Sequence, residues 1–161
     1  MTNDLKKRCM MGLEKMARKL KAIPLFANME PAKLKLLAFA SDRVTFEDGE
    51  EVCHMGDPAD SAYFIEDGGV DVIIEKDGKS IKVAELGANT VFGEMGLFLS
   101  SGRSATITAR GPLRVMKIDG DIFLKMVTEN PEAALGIMKS LSEKIATTST
   151  QLAAGAFPAR S

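Results

Sequence analysis

Turn signals recur through the middle of this chain at intervals too short for helices: Glu47-Asp48-Gly49, Gly56-Asp57-Pro58, Asp67-Gly68-Gly69, Asp77-Gly78 and Arg110-Gly111-Pro112. Gly, Asp and Pro supply the backbone angles that tight turns need. The segments between them read as short strands: Arg43–Phe46, Glu51–His54, Ala62–Glu66, Val70–Glu75, Ile81–Leu86, Ser104–Ala109 and Leu113–Ile118. Many short strands at near-regular spacing predict a sandwich or jelly-roll barrel, with Lys76-Asp77-Gly78-Lys79 as the clearest hairpin signal.

Helical periods flank this region. Leu5, Cys9, Leu13, Met16 and Leu20 predict an amphipathic helix from about Asp4 to Lys21. Its apolar stripe packs either on its own domain or, through adaptable methionines, on a partner. Pro24 marks a break, and Pro31 opens a second helix through about Ala40 with Leu34, Leu36 and Leu37 as apolar positions. After Ile118 the period returns over Asp121–Glu129 and, beyond Pro131, in a longer helix carrying Leu135, Met138, Leu141 and Ile145. Those four form a stripe that lies on the barrel, caps a ligand, or pairs with the same helix of a second subunit. Thr147–Thr150 and Gly155–Ser161 are expected to fray.

With 161 residues, 45% of them hydrophobic, the chain supports one core and one domain. No apolar run approaches a membrane span, no signal peptide is evident, and Cys9 and Cys53 do not resemble a disulfide framework, so the expected compartment is the cytoplasm. The two cysteines read as buried small residues. Residues 1–41 carry nine Lys or Arg against three Asp or Glu, whereas residues 42–94 carry four against fourteen, so the two segments should attract each other. Lys6, Lys7, Arg8, Lys15, Arg18, Lys19 and Lys21 read as the solvated face of the first helix, against a surface for nucleic acid or an anionic membrane. A single histidine, His54, cannot supply the shell of a metal-dependent jelly-roll enzyme. No nucleophile-plus-base constellation, Walker loop or paired carboxylates are visible, and no enzyme is expected.

Glu94 and Arg103, nine residues apart, put one anion and one cation around the short apolar turn Gly93-Glu94-Met95-Gly96-Leu97. A carboxylate accepts hydrogen bonds and so fits a sugar hydroxyl; a guanidinium offers a planar fork matched to phosphate oxygens. One helical turn between them leaves N–H groups unpaired at its start, where an anion is favoured. A structural ion pair is the alternative for these two charges.

Phe92-Gly93-Glu94-Met95, Arg103-Ser104-Ala105-Thr106-Ile107, Pro24-Leu25-Phe26, Gly56-Asp57-Pro58-Ala59-Asp60-Ser61-Ala62-Tyr63-Phe64-Ile65 and Gly68 before a Val-rich strand together resemble the cyclic nucleotide-binding domain of catabolite activators, protein kinase A regulatory subunits and cyclic nucleotide-gated channels. The resemblance covers nearly the whole chain. It implies an α+β, mainly β fold: an eight-stranded jelly-roll barrel with N-terminal helices, a short phosphate-cassette helix and C-terminal helices. The expected organisation is an N-terminal helical segment over 1–41, the barrel over 42–118 with its cassette at 92–106, hinge and lid helices over 119–150, and a flexible tail over 151–161, all one domain.

The resemblance further implies that Glu94 accepts from the ribose 2′-hydroxyl of 3′,5′-cyclic AMP or cyclic GMP and that Arg103 pairs with the cyclic phosphate. Backbone N–H groups of Gly96 and Ser104 complete the cradle, Gly93 allows close approach to the sugar, and Val91, Met95 and Ile107 wall the base. Leu135, Met138 or Leu141 closes over it. The Ser104 hydroxyl either contacts a guanine amino group or caps a strand. Gly96 and Gly102 depart from the family pattern of a small residue and a proline, and are expected to loosen the cassette; Asn89 replaces a frequent glycine. No cofactor is implied. The expected function is a stand-alone sensor relaying binding to a protein effector or a homodimer, without sequence-specific DNA reading, since too few residues follow the long helix for a helix-turn-helix. The alternative is an interaction module of the same fold that has lost nucleotide binding.

Overall fold

In the computed structural model, which describes residues 12, 14–21, 26, 27 and 29–153 with side chains through residue 146, the helical and extended periods separate largely where the sequence changes period. The helices are α1 (residues 14–21), α2 (Pro31–Phe39), α3 (Glu94–Leu99), α4 (Gly120–Glu129) and α5 (Pro131–Ala153). The strands are β1 (Ser41–Phe46), β2 (Glu51–Cys53), β3 (Ser61–Lys76), β4 (Lys79–Leu86), β5 (Val91–Phe92) and β6 (Thr106–Asp119). Leu5, Cys9 and Leu13 of the predicted first helix, Pro24-Leu25 and Gly155–Ser161 lie outside the described residues.

The β3–β4 hairpin closes at Asp77 and Gly78, both with positive φ (54° and 76°), the geometry of a tight two-residue hairpin turn. Two other glycine-bearing segments do not reverse the chain. Asp67-Gly68-Gly69 lies inside β3 and Arg110-Gly111-Pro112 inside β6, and the two long strands stay paired past both, with register shifts at Ile65/Asp67 and Asp67/Gly69. Gly68 has φ 95°, and a Cβ there would fall 2.3 Å from Pro112 O. The glycine therefore serves a bulge where two backbones cross closely, not a turn.

This corrects the strand count. Among the described residues the sheet has six strands rather than eight, ordered β1-β6-β3-β4, with β2 also on β6 and β5 also on β3, and it does not close into a barrel. Each long bent strand does the work expected of two. A second correction concerns Thr147–Thr150, which continue α5 to Ala153. Neither Gly nor Pro interrupts residues 137–153, and each Thr lowers helix propensity by only about 0.7 kcal/mol or less.

Alternation along β3 and β6 builds two cores, one on each face of the sheet. Ala62, Phe64, Met116 and Ile118 join a cluster with Ala17 and Leu20 of α1, Leu34 and Leu37 of α2, Phe123 of α4 and Ile137 of α5. Tyr63, Ile65, Leu113 and Val115 point the other way, into a cluster with Val70, Phe92, Ile107 and Ala109. Burial on both faces explains the continuous apolar run of Ala62–Ile65. The first helix thus packs on its own domain, with Lys15, Arg18 and Lys21 exposed. Glu66, its side chain fully buried, accepts from Lys19 (3.4 Å) and Arg43 (2.9 Å), so the basic N-terminal segment and the acidic barrel segment do meet through charge.

Phe64 is 0% exposed and Leu36 68% exposed. Phe64→Ala should lower stability by about 3–5 kcal/mol in urea unfolding, whereas Leu36→Ala should stay within about 0.5 kcal/mol of wild type.

Candidate functional site

Gly93 ends β5 in the left-handed conformation (φ 85°) and caps α3, so Glu94 opens the short helix and points inward, 5% exposed. Arg103 follows the helix on the return toward β6 and is 6% exposed. The two do not form an ion pair with each other. Arg103 donates from Nη1 to Gly93 O (3.0 Å) and from Nη2 to Ser61 O (2.8 Å) and Ser61 Oγ (3.3 Å). Asp60 Oδ1 lies 3.7 Å from Nη2, and the guanidinium sits 5.5 Å from the ring centroid of Tyr63, which itself stacks on Phe92.

The segment Gly56-Asp57-Pro58-Ala59-Asp60-Ser61 runs alongside the cassette. Arg103 N donates to Asp57 O (2.7 Å), Gly56 N donates to Arg103 O (2.9 Å), and Pro58 bridges Gly102. Gly120 N donates to Asp60 O (2.9 Å), which brings the start of α4 to the same loop. These bonds fix the backbone on both sides of Arg103.

The packing gives Gly96 and Gly102, which were expected to loosen the cassette, a steric role as well. A Cβ on Gly96 would lie 2.5 Å from Ala59 Cβ, and one on Gly102 would lie 2.9 Å from Gly56 O. Both glycines admit a close neighbour, so each position is crowded rather than slack. A Cβ on Gly93 would lie 2.6 Å from Arg103 Nη1, so this glycine answers to the guanidinium as well as to its positive φ. Asn89 adopts φ 66°, a left-handed conformation that asparagine tolerates, and its N–H donates to Ile65 O (2.8 Å).

Glu94 Oε1 accepts an ion-pairing hydrogen bond from Lys144 of α5, while Glu94 Oε2 is buried with no hydrogen-bond partner. A narrow cleft beside it is lined by Val91, Glu94, Ile137, Ser140 and Leu141. Of the lid residues expected from the sequence, α5 turns Leu141 toward the cassette, together with Ile137, while Leu135 and Met138 are 53% and 61% exposed. Met95 is partly exposed at the start of α3, Ile107 lies in the interior cluster, and Ser104 is exposed ahead of β6 with no hydrogen-bond partner among the described residues. Ser61, Tyr63 and Lys144 escaped the sequence reading as site residues. Ser61 and Tyr63 lay within the quoted Gly56–Ile65 stretch, and Lys144 stands three residues after Leu141 with a charge opposite to that of Glu94.

His54 is partly exposed, and its hydrogen bond to Glu51 (3.2 Å) raises its pKa. Burial pushes the Cys53 thiol up, with the Arg103 charge partly offsetting it. Among the described residues no three His, Cys, Asp or Glu gather as a metal site, and no helix is long and apolar enough to cross a membrane.

A family model of the cyclic nucleotide-binding domain matches residues 43–130. The chain is 32% identical over 109 residues to a cAMP-dependent protein kinase regulatory subunit of Blastocladiella emersonii, covering 67% of this chain and 27% of that protein. It is 30% identical over 123 residues to a cyclic nucleotide-gated potassium channel of Mesorhizobium japonicum, covering 76% of this chain and 33% of that one. It thus spans about a quarter to a third of these relatives. Among solved structures, the regulatory domain of Toxoplasma gondii PKA with cAMP shares the fold at a TM-score of 0.74 and 23% identity, over 88% of this chain and 52% of that one. A cyclic nucleotide-binding-like protein from Brucella abortus gives 0.61 at 29% identity, over 71% and 98% of the two chains.

The crowding at Gly96 has a measurable consequence. Gly96→Ala should destabilise the chain by about 1–3 kcal/mol, and Ala59→Gly in the same chain should recover most of that loss, read as a coupling energy in a thermal double-mutant cycle.

Proposed function

Because the chain belongs to the cyclic nucleotide-binding domain family, we propose that its cassette binds cyclic AMP or cyclic GMP, with Glu94 accepting from the ribose 2′-hydroxyl and Arg103 pairing with the cyclic phosphate. The observation that carries this reading is Glu94 Oε2, a buried carboxylate oxygen without a donor. Leaving such an acceptor unpaired costs roughly 1–3 kcal/mol, which a ligand hydroxyl would remove. Arg103 is held ready by neutral carbonyls of Gly93 and Ser61. A phosphate outcompetes neutral acceptors, because charge-assisted bonds are roughly twice as strong. The N–H groups of Gly96 and Ser104 add donors to the same anion, with Gly93 shaping the turn and Met95 at its rim. Val91 and Ile107 supply apolar contact for the base, and on the α5 side Ile137 and Leu141 take the part that Leu135 and Met138 were expected to play.

The role we propose is sensing. Ligand in the cassette biases α5, and α5 carries the signal outward. Its outer face presents Leu135, Met138 and Ile145, the last 67% exposed, to a protein effector or a second copy of the chain. The names of the matched relatives, a kinase regulatory subunit and a gated channel, support a regulatory role of this kind.

Calorimetry with cyclic AMP and cyclic GMP checks the assignment. Arg103→Ala should weaken binding by about 2–5 kcal/mol, roughly 30- to several-thousand-fold, and Arg103→Lys should recover only part because it lacks the fork. Undiminished binding by Arg103→Ala would refute the phosphate role. Absence of binding and of any thermal shift in wild type would instead mark an interaction module of this fold.

A further inference from the structure

We infer that Lys144 and the ligand's ribose hydroxyl share the Glu94 carboxylate, one on each oxygen, making Glu94 the joint at which an occupied cassette and a docked α5 hold each other in place. This rests on the reading of Glu94 as the ribose acceptor. Lys144 donates to Oε1, and Oε2 is left buried and unpartnered, so the two donors do not compete for one atom. A carboxylate accepts at both oxygens, and a lysine ammonium on its four-carbon stem adjusts to small movements of its partner.

The geometry of α5 supports the same conclusion. Ile137, Ser140 and Leu141 face Val91 and Glu94 across the cleft, and Lys144 continues that face one turn further along the helix. Among the described residues Lys144 is the cation on Glu94, because Arg103 is directed to Gly93, Ser61 and Asp60 instead. The Lys144 side chain is 35% exposed against 6% for Glu94, so the ammonium reaches from the helix surface into the site. If the hydroxyl steadies Glu94 for Lys144, then Lys144 steadies Glu94 for the hydroxyl by the same factor, because binding couplings are reciprocal. Lys144 is a positioning residue here: it acts on the ligand through Glu94.

Two ligands separate this role from a general contribution to folding. Lys144→Gln should lower calorimetric affinity for cyclic AMP about tenfold, but affinity for 2′-deoxy cyclic AMP by less than about threefold, since that ligand lacks the hydroxyl that uses the joint. Lys144→Arg should stay near wild type. In hydrogen exchange, cyclic AMP should protect residues 137–144 in wild type and fail to do so in Lys144→Gln. Equal losses for the two ligands, or Lys144→Gln binding cyclic AMP as tightly as wild type or more tightly, would overturn the proposal. Binding that Arg103→Ala abolishes but Lys144→Gln leaves intact defeats the joint alone; a wild type that binds neither nucleotide defeats the site reading with it.

Discussion

A guanidinium taken out of water must find acceptors or it will not stay there. Arg103 finds them in Gly93 O and in both oxygens of Ser61, with the Tyr63 face beneath it and Asp60 nearby. Much of the surrounding structure follows from that requirement. Gly93 must lack a side chain because the nitrogen approaches it so closely, and Gly102 must let the backbone lie against Gly56 so that Arg103 is held from both its N–H and its C=O. Ser61 begins β3, so the cation that borders the cassette is anchored to a strand shared by both cores.

That dependence also gives the glycines of this cassette a steric role. Ala59 of the neighbouring loop occupies the space that a side chain on Gly96 would need.

Local chemistry was legible in the sequence and spatial neighbours were not. Asp77-Gly78 and the change of period at Ile118 are local signals, and each sits where it was expected. Gly68 and Gly111 carry the same signal as a turn because a bulge and a turn both ask for positive φ; only the pairing of β3 with β6 distinguishes them. Glu94 and Arg103 were legible as functional candidates by charge and spacing. Their partners Lys144 and Ser61 were not, since each lies some forty to fifty residues away in sequence. On α5 the period reveals an apolar stripe at Leu135, Met138, Leu141 and Ile145, yet of these Leu141 alone turns inward, beside Ile137 which the stripe left out, and periodicity alone does not say which positions face inward.

The two faces of the sheet hold different populations of side chains. Among the described residues, every apolar residue that α5 buries belongs to the helical cluster, and the interior cluster beneath Arg103 draws only on strands. The cassette stands on both: Leu97 of α3 lies in the helical cluster with Ile137, and Val91 and Phe98 pack against it, whereas Arg103 lies over Tyr63 of the strand-built cluster. Any movement of α5 therefore reaches the α3 side of the cassette through the apolar cluster the two helices share, and the strand-built side under Tyr63 lies apart from it.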